Sequence, residues 1–157
     1  MPDPEINNDV KMIESIAVTD FEGNRVDLLT EYKGIPLLLI IYNNACLGCT
    51  GRAIPLAYEF QQNNPSIQVI GIHSNFGNRK VTKEDIQSIF TSGEVPFPIY
   101  IDKNHCVYDQ FEAEGTPQWI LITGEGELYK SVFGSMDGAQ NRLAYALEAL
   151  VTGGDIS

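Results

Sequence analysis

Pro36-Leu37-Leu38-Leu39-Ile40-Ile41-Tyr42-Asn43-Asn44-Ala45-Cys46-Leu47-Gly48-Cys49 is the stretch that decides how this chain folds. Its first half is continuously apolar. A strand covered on both faces reads this way, which predicts a central strand with helices on either side. Two cysteines follow directly. Residues 52–62 then carry Ile54, Leu56, Ala57 and Phe60 at helical spacing, and Asn63-Asn64-Pro65 ends the pattern. A buried strand therefore delivers Cys46 to the end of a sheet, where a helix begins.

Outward from this core, strands and helices alternate. Ile16-Ala17-Val18-Thr19 and Arg25-Val26-Asp27-Leu28 flank the turn signal Asp20-Phe21-Glu22-Gly23-Asn24, which predicts a hairpin. Ile67-Gln68-Val69-Ile70-Gly71-Ile72 and Pro98-Ile99-Tyr100-Ile101 are further strands. Thr82-Lys83-Glu84-Asp85 fits a capping box that opens a helix over residues 82–90. A short helix is expected over residues 104–111. Trp119-Ile120-Leu121-Ile122 and Leu128-Tyr129-Lys130-Ser131-Val132-Phe133 flank Gly124-Glu125-Gly126, a second hairpin signal. The last helix spans residues 137–150, with Leu143, Ala146, Leu147 and Leu150 on one stripe. The pattern is α/β, a mixed sheet between helices.

The 157 residues suit a single domain over residues 15–151, with a lead-in over 1–14 and a tail over 152–157. The formal net charge of −11 makes nucleic acid and anionic membranes poor partners. No apolar run approaches the roughly 18 residues of a membrane span. Met1-Pro2-Asp3-Pro4-Glu5 lacks the basic and apolar regions of a signal peptide. The expected location is cytoplasmic as written, or periplasmic or otherwise extracytoplasmic if a leader has been removed. A monomer is expected.

Three cysteines do not make a disulfide framework. Cys46 and Cys49 instead read as a redox pair. A helix start offers unpaired N–H groups and the positive end of the helix dipole, and both stabilise a thiolate. Cys46 is then the attacking sulfur. Cys49, one turn on, is placed to resolve a mixed disulfide. Structural zinc is an alternative, but it wants four ligands, and Cys106, His105 and His73 form no second pair at ligand spacing. Two inert buried cysteines are another. No metal and no cofactor beyond a redox-active Cys46–Cys49 disulfide is expected.

With the dithiol placed, the chain resembles the TlpA/ResA branch of thioredoxin-like oxidoreductases over residues 16–150. The resemblance rests on the N-terminal hairpin, the apolar strand, Cys46-Leu47-Gly48-Cys49, Pro55, Val69-Ile70-Gly71-Ile72-His73-Ser74 and Tyr100-Ile101-Asp102. It also includes Gly115-Thr116-Pro117-Gln118-Trp119 leading into Gly124-Glu125-Gly126. Arg52-Ala53-Ile54-Pro55 and Gly71-Ile72-His73 are also similar to the thioredoxin-like domain of the DipZ group. The resemblance implies a thioredoxin-like fold with an N-terminal β-hairpin extension. It implies a thiol-disulfide oxidoreductase working as a reductant, as most of that branch do, with protein thiol and disulfide substrates and an electron-donor or acceptor protein as partners; Leu47-Gly48 by itself leaves reductant, oxidant and isomerase open. It further implies a cis Thr116–Pro117 peptide facing the dithiol, with Thr116 and Pro117 shaping the substrate groove.

Four departures mark this chain. Ala45 replaces the aromatic residue that often precedes the first cysteine, and Gly48 replaces the common proline. Ile40 stands where many thioredoxins carry a buried acid. Pro55 sits one residue further from Cys49 than usual, which predicts a bulged helix start.

Cys106 reads first as a partly buried small side chain, and otherwise as a regulatory thiol or a second disulfide partner. His73 reads as a strand-end histidine that could tune Cys46, His105 as a helix-start residue, and Trp119 as core beside the proline loop. A peroxiredoxin-like thiol peroxidase using Cys49 is the competing activity. Such sites have Thr three residues before the cysteine and Pro four before that, where this chain has Cys46 and Tyr42. A copper-delivery protein of the Sco kind would use a wider cysteine spacing.

Overall fold

The apolar run becomes a strand whose six residues, Leu37–Tyr42, are all buried. The computed structural model describes residues 11–43, 49–74, 82–88, 90, 95 and 97–153. Among these, one mixed sheet contains β1 (Lys11–Met12), β2 (Ala17–Thr19), β3 (Arg25–Asp27), β4 (Leu37–Tyr42), β5 (Gln68–Ser74), β6 (Ile99–Asp102), β7 (Gln118–Ile122) and β8 (Glu127–Phe133). Their order is β1-β8-β7-β4-β5-β6-β2-β3. β4 pairs parallel with β5 and antiparallel with β7, so it lies inside the sheet. The helices are α1 (Leu28–Glu31), α2 (Ile54–Asn63), α3 (Lys83–Gln87), α4 (Cys106–Gln110) and α5 (Asp137–Glu148).

Alternation along β4 divides the core in two. Leu38, Ile40 and Tyr42 pack with Ala53, Ile54 and Ala57 at α2, Ile86 of α3, and Leu143 and Leu147 of α5. Leu37, Leu39 and Ile41 pack on the other face with Ile16, Leu28 of α1, and Val107 and Phe111 around α4. The uninterrupted apolar run is thus the consequence of helices on both faces. Each such side chain contributes about 1.5–3 kcal/mol on burial.

The hairpin signals form hairpins. Asp20 Oδ1 accepts from the backbone N–H of Glu22 at 3.0 Å and of Asn24 at 2.8 Å, which closes the β2–β3 turn. The β7–β8 turn places Gly126 at φ +90°, the left-handed position such loops require. The β2–β3 hairpin extends the sheet, because Thr19 pairs with Ile101 of β6.

The Thr82–Asp85 capping box forms as expected, with Thr82 N–H donating to Asp85 Oδ2 at 2.9 Å and Asp85 N–H to Thr82 Oγ1 at 3.2 Å. Its helix is shorter than expected and stops at Gln87. There the Ser88 hydroxyl donates back to the Asp85 carbonyl at 2.7 Å, a local bond that competes with continuing the helix. Two elements had no sequence signal. Lys11 and Met12, read as lead-in, pair with Leu128 and Glu127 at the sheet edge. Leu28–Glu31 forms a turn of helix because Asp27 caps it, accepting from Leu29 N–H at 3.2 Å and from the Thr30 hydroxyl at 3.0 Å.

Candidate active site

Register brings the ends of four strands to one edge of the sheet. Tyr42, the last residue of β4, lies opposite His73 of β5. Ile41 lies opposite Gln118, so Pro117, the residue just before β7, falls level with Tyr42. Gln118 in turn lies opposite Phe133, the end of β8. The sequence carries Cys46 four residues beyond Tyr42. Cys46 itself, with Ala45, Leu47 and Gly48, lies outside the described residues, as does the side chain of Cys49.

The backbone from Cys49 onward is described. Cys49–Ala53 forms a π-helical turn that runs into α2, and Pro55 stands in the first turn of that helix. This is the bulged helix start predicted from the shifted proline. Proline lacks an N–H and fits the first turn, where N–H groups have no intrahelical acceptor. One extra residue before it is taken up as a π-turn.

Across the edge, the Thr116–Pro117 peptide bond is cis, as the resemblance implied. Pro117 is buried and Thr116 half-buried. The loop is tied down from several sides. Gly134 N–H donates to the Pro117 carbonyl at 2.9 Å. The Gly134 carbonyl accepts from Trp119 Nε1 at 2.8 Å. Gly134 has φ +102°, a conformation open to glycine, and so turns both its backbone groups inward. Gln118 accepts from Glu114 N–H at 3.1 Å and donates to the Ser131 hydroxyl at 2.8 Å. Trp119 is fully buried, its ring edge-on to Phe60 with centroids 6.0 Å apart, and it belongs to the core as expected.

Behind Tyr42 a second set of bonds holds the strand ends. Asn43 Nδ2 donates to the Ser74 carbonyl at 2.8 Å. The Ser74 hydroxyl donates to Asp102 Oδ2 at 3.0 Å in the interior. Asp102 also accepts from Val107 N–H at 2.7 Å and Tyr108 N–H at 3.0 Å, and so caps α4. Asn43, Ser74 and Asp102 carry no recognisable spacing, and sequence reading did not assign them this role.

His73 is buried at the end of β5, and its ring meets Tyr42 edge to face. Burial pushes its pKa down to about 4, with the Asp85 carboxylate pulling weakly the other way. It is therefore a neutral imidazole near pH 7.

Cys106 corrects the expectation of a partly buried side chain. It is a free, exposed thiol at the first position of α4. His105 precedes it as the helix-start residue, at φ +58°. Asp102 has already turned the inner amides of this helix toward itself, which leaves its first residue on the outside. Among the described residues no group of three or more His, Cys, Asp or Glu is gathered, and no helix is long and apolar enough to cross a membrane.

This architecture is thioredoxin-like, and it is shared with solved structures. A thiol-disulfide isomerase from Corynebacterium glutamicum superposes with a TM-score of 0.74 at 21% identity, covering 92% of this chain and 98% of that one. The exposed lipoprotein thioredoxin of Streptococcus pneumoniae strain TIGR4 superposes with a TM-score of 0.68 at 18% identity, covering 87% and 100%. In sequence, the AhpC/TSA family model matches residues 10–131, and the chain belongs to that family. The chain is also 24% identical over 123 residues to the thiol-disulfide oxidoreductase ResA of Bacillus subtilis (strain 168). The resemblance to the TlpA/ResA branch is thus found by comparison as well as by motif. That alignment covers 78% of this chain but only 65% of the length of ResA.

Proposed function

We propose that this chain is a thiol-disulfide oxidoreductase that reduces protein disulfides through Cys46 and Cys49. The observation that carries the reading is that the end of β4, from which the sequence runs on to Cys46, lies level with the cis Thr116–Pro117 peptide. The similarity to ResA supports it.

The Cys46 thiolate attacks one sulfur of a substrate disulfide. That bond breaks, the departing sulfur leaves as a thiolate and takes a proton from water, and a mixed disulfide forms. Cys49, deprotonated by water in the absence of an acid at Ile40, attacks Cys46 and frees the second substrate thiol. The products are a dithiol substrate and a Cys46–Cys49 disulfide. A dithiol donor protein then returns two electrons to the pair. Thr116, beside Pro117, offers backbone to an extended substrate segment at the sheet edge. No metal or further cofactor takes part, and the protein works as a monomer. Of the two locations open to the chain, the extracytoplasmic one is supported by the exposed lipoprotein among its structural relatives.

The AhpC/TSA match favours a second reading, a thiol peroxidase with Cys49 as the peroxidatic residue. One pair of assays separates the two. With dithiothreitol, the reductant should accelerate insulin precipitation, and Cys46→Ser should abolish the effect. Insulin reduction at the uncatalysed rate, together with rapid peroxide turnover, would reject the first reading and establish the second.

A further inference from the structure

β8 is an edge strand covered over only part of its length. β1 pairs with Glu127 and Leu128. Beyond them the outer edge of β8 has no strand neighbour among the described residues. Ile122 lies opposite Leu128 and Leu121 opposite Lys130, so Tyr129 is the extra residue of a bulge. A bulge changes which face the following side chains take. Leu128 accordingly packs against the core on the α4 side, whereas Val132 belongs to the core on the α5 side. Tyr129 and Lys130 both line a cleft of about 380 Å³, with Arg142, Tyr145 and Ala146 of α5.

The cleft is chemically out of keeping with its surroundings. The chain has 21 Asp and Glu against 10 Lys and Arg, yet two cations and no acid line this cleft. Neither Lys130 nor Arg142 makes an ion pair or side-chain hydrogen bond among the described residues. Two aromatic walls accompany them, with Tyr145 76% exposed and Tyr129 39% exposed. An occupant should be acidic, carry some apolar side chains, and run as a strand.

β1 is antiparallel to β8, so a strand extending β1 backward from Lys11 would pass Tyr129 and run toward Phe133. Residues 1–10 lie outside the described residues. Their sequence holds Asp3, Glu5 and Asp9, no Lys or Arg, and the apolar Ile6 and Val10. Ten residues reach up to about 33 Å, and the open part of β8 needs about 17 Å. We propose that this acidic segment docks along the open edge of β8, continuing β1, a register that sets Asp9 opposite Lys130 in the cleft it shares with Arg142. The tether raises its effective concentration, so modest contacts suffice. Covering the edge also removes a template for unwanted strand pairing.

Amide hydrogen exchange on the full chain tests this. The comparison is with Asp3→Lys/Glu5→Lys/Asp9→Lys, and with that triple change combined with Lys130→Glu and Arg142→Glu. The β8 amides from Tyr129 onward that are not bonded to β7 should exchange at least about tenfold faster in the triple variant. The added reversals should restore slow exchange. Equal exchange in the full chain and the triple variant would overturn the proposal. Loss without restoration would overturn the cleft as the docking site. Protection that rises with protein concentration, alongside a dimer mass, would overturn it in favour of a second copy on the edge. Circular dichroism should be the same for all three proteins, because Lys130 and Arg142 are exposed side chains outside the core.

Discussion

The ring of Tyr42 meets the imidazole of His73 edge to face, with centroids 5.2 Å apart and planes at 82°. The contact joins the ends of the two central parallel strands just where the chain leaves β4 toward Cys46. It also makes stability depend on pH. The folded-state pKa of His73 is depressed to about 4 from 6.5, so below pH 6.5 the unfolded chain binds a proton that the folded chain does not. The stability contributed by neutral His73 is full above pH 6.5. It declines as pH falls and is lost by about pH 4, at a cost of about 2–3 kcal/mol. Urea midpoints across this window should fall more steeply for the native protein than for His73→Gln, whose side chain does not titrate.

Asp102 is 1% exposed and accepts from Ser74, Val107 and Tyr108. Asp102→Ala leaves three donors without their acceptor. The expected loss is about 2–4 kcal/mol, read from urea denaturation. Ser74→Ala removes one donor and should cost about 1 kcal/mol.

A methyl group on Gly71 would sit 3.1 Å from Ile99 Cγ1, 3.2 Å from Phe97 Cε1 and 3.4 Å from Tyr42 Cε1. All three neighbours are buried. Gly71→Ala should therefore destabilise by about 1–3 kcal/mol through overpacking, although alanine is ordinarily the better strand residue. Thermal melting checks the sign, and an unchanged Tm would show that Ile99 and Phe97 have room to move.

Cys106 is exposed and free. Cys106→Ser should leave stability within about 0.5 kcal/mol of the native value and leave insulin reduction intact. Thiol titration of the reduced folded protein should register Cys106 as the fast-reacting thiol that persists in Cys46→Ser/Cys49→Ser.

Much of this was legible before any coordinates. The six-residue apolar run of β4 could be read because both faces are covered. The Asp20–Asn24 turn and the Thr82–Asp85 box could be read because their bonds are local, spanning two to four residues. The shifted Pro55 predicted the π-turn at Cys49–Ala53 for the same reason. What escaped was non-local or too short. Lys11–Met12 has no periodicity in two residues, and its pairing lies more than a hundred residues away. The Asn43–Ser74–Asp102 chain links three strands whose spacing encodes nothing. Cys106 was read as partly buried because cysteine usually is, whereas its exposure follows from Asp102 claiming the inside of α4.

The Cys46–Cys49 couple is tested most directly by redox titration of the full chain, with the two states separated by mass after thiol alkylation. A reductant of this kind should show one two-electron transition that converts both thiols to a single Cys46–Cys49 disulfide. Its potential should lie nearer about −270 mV, as in thioredoxin, than about −120 mV, as in a strong oxidant. The absence of that disulfide at any potential, or a transition that persists in Cys46→Ser, would contradict the assignment.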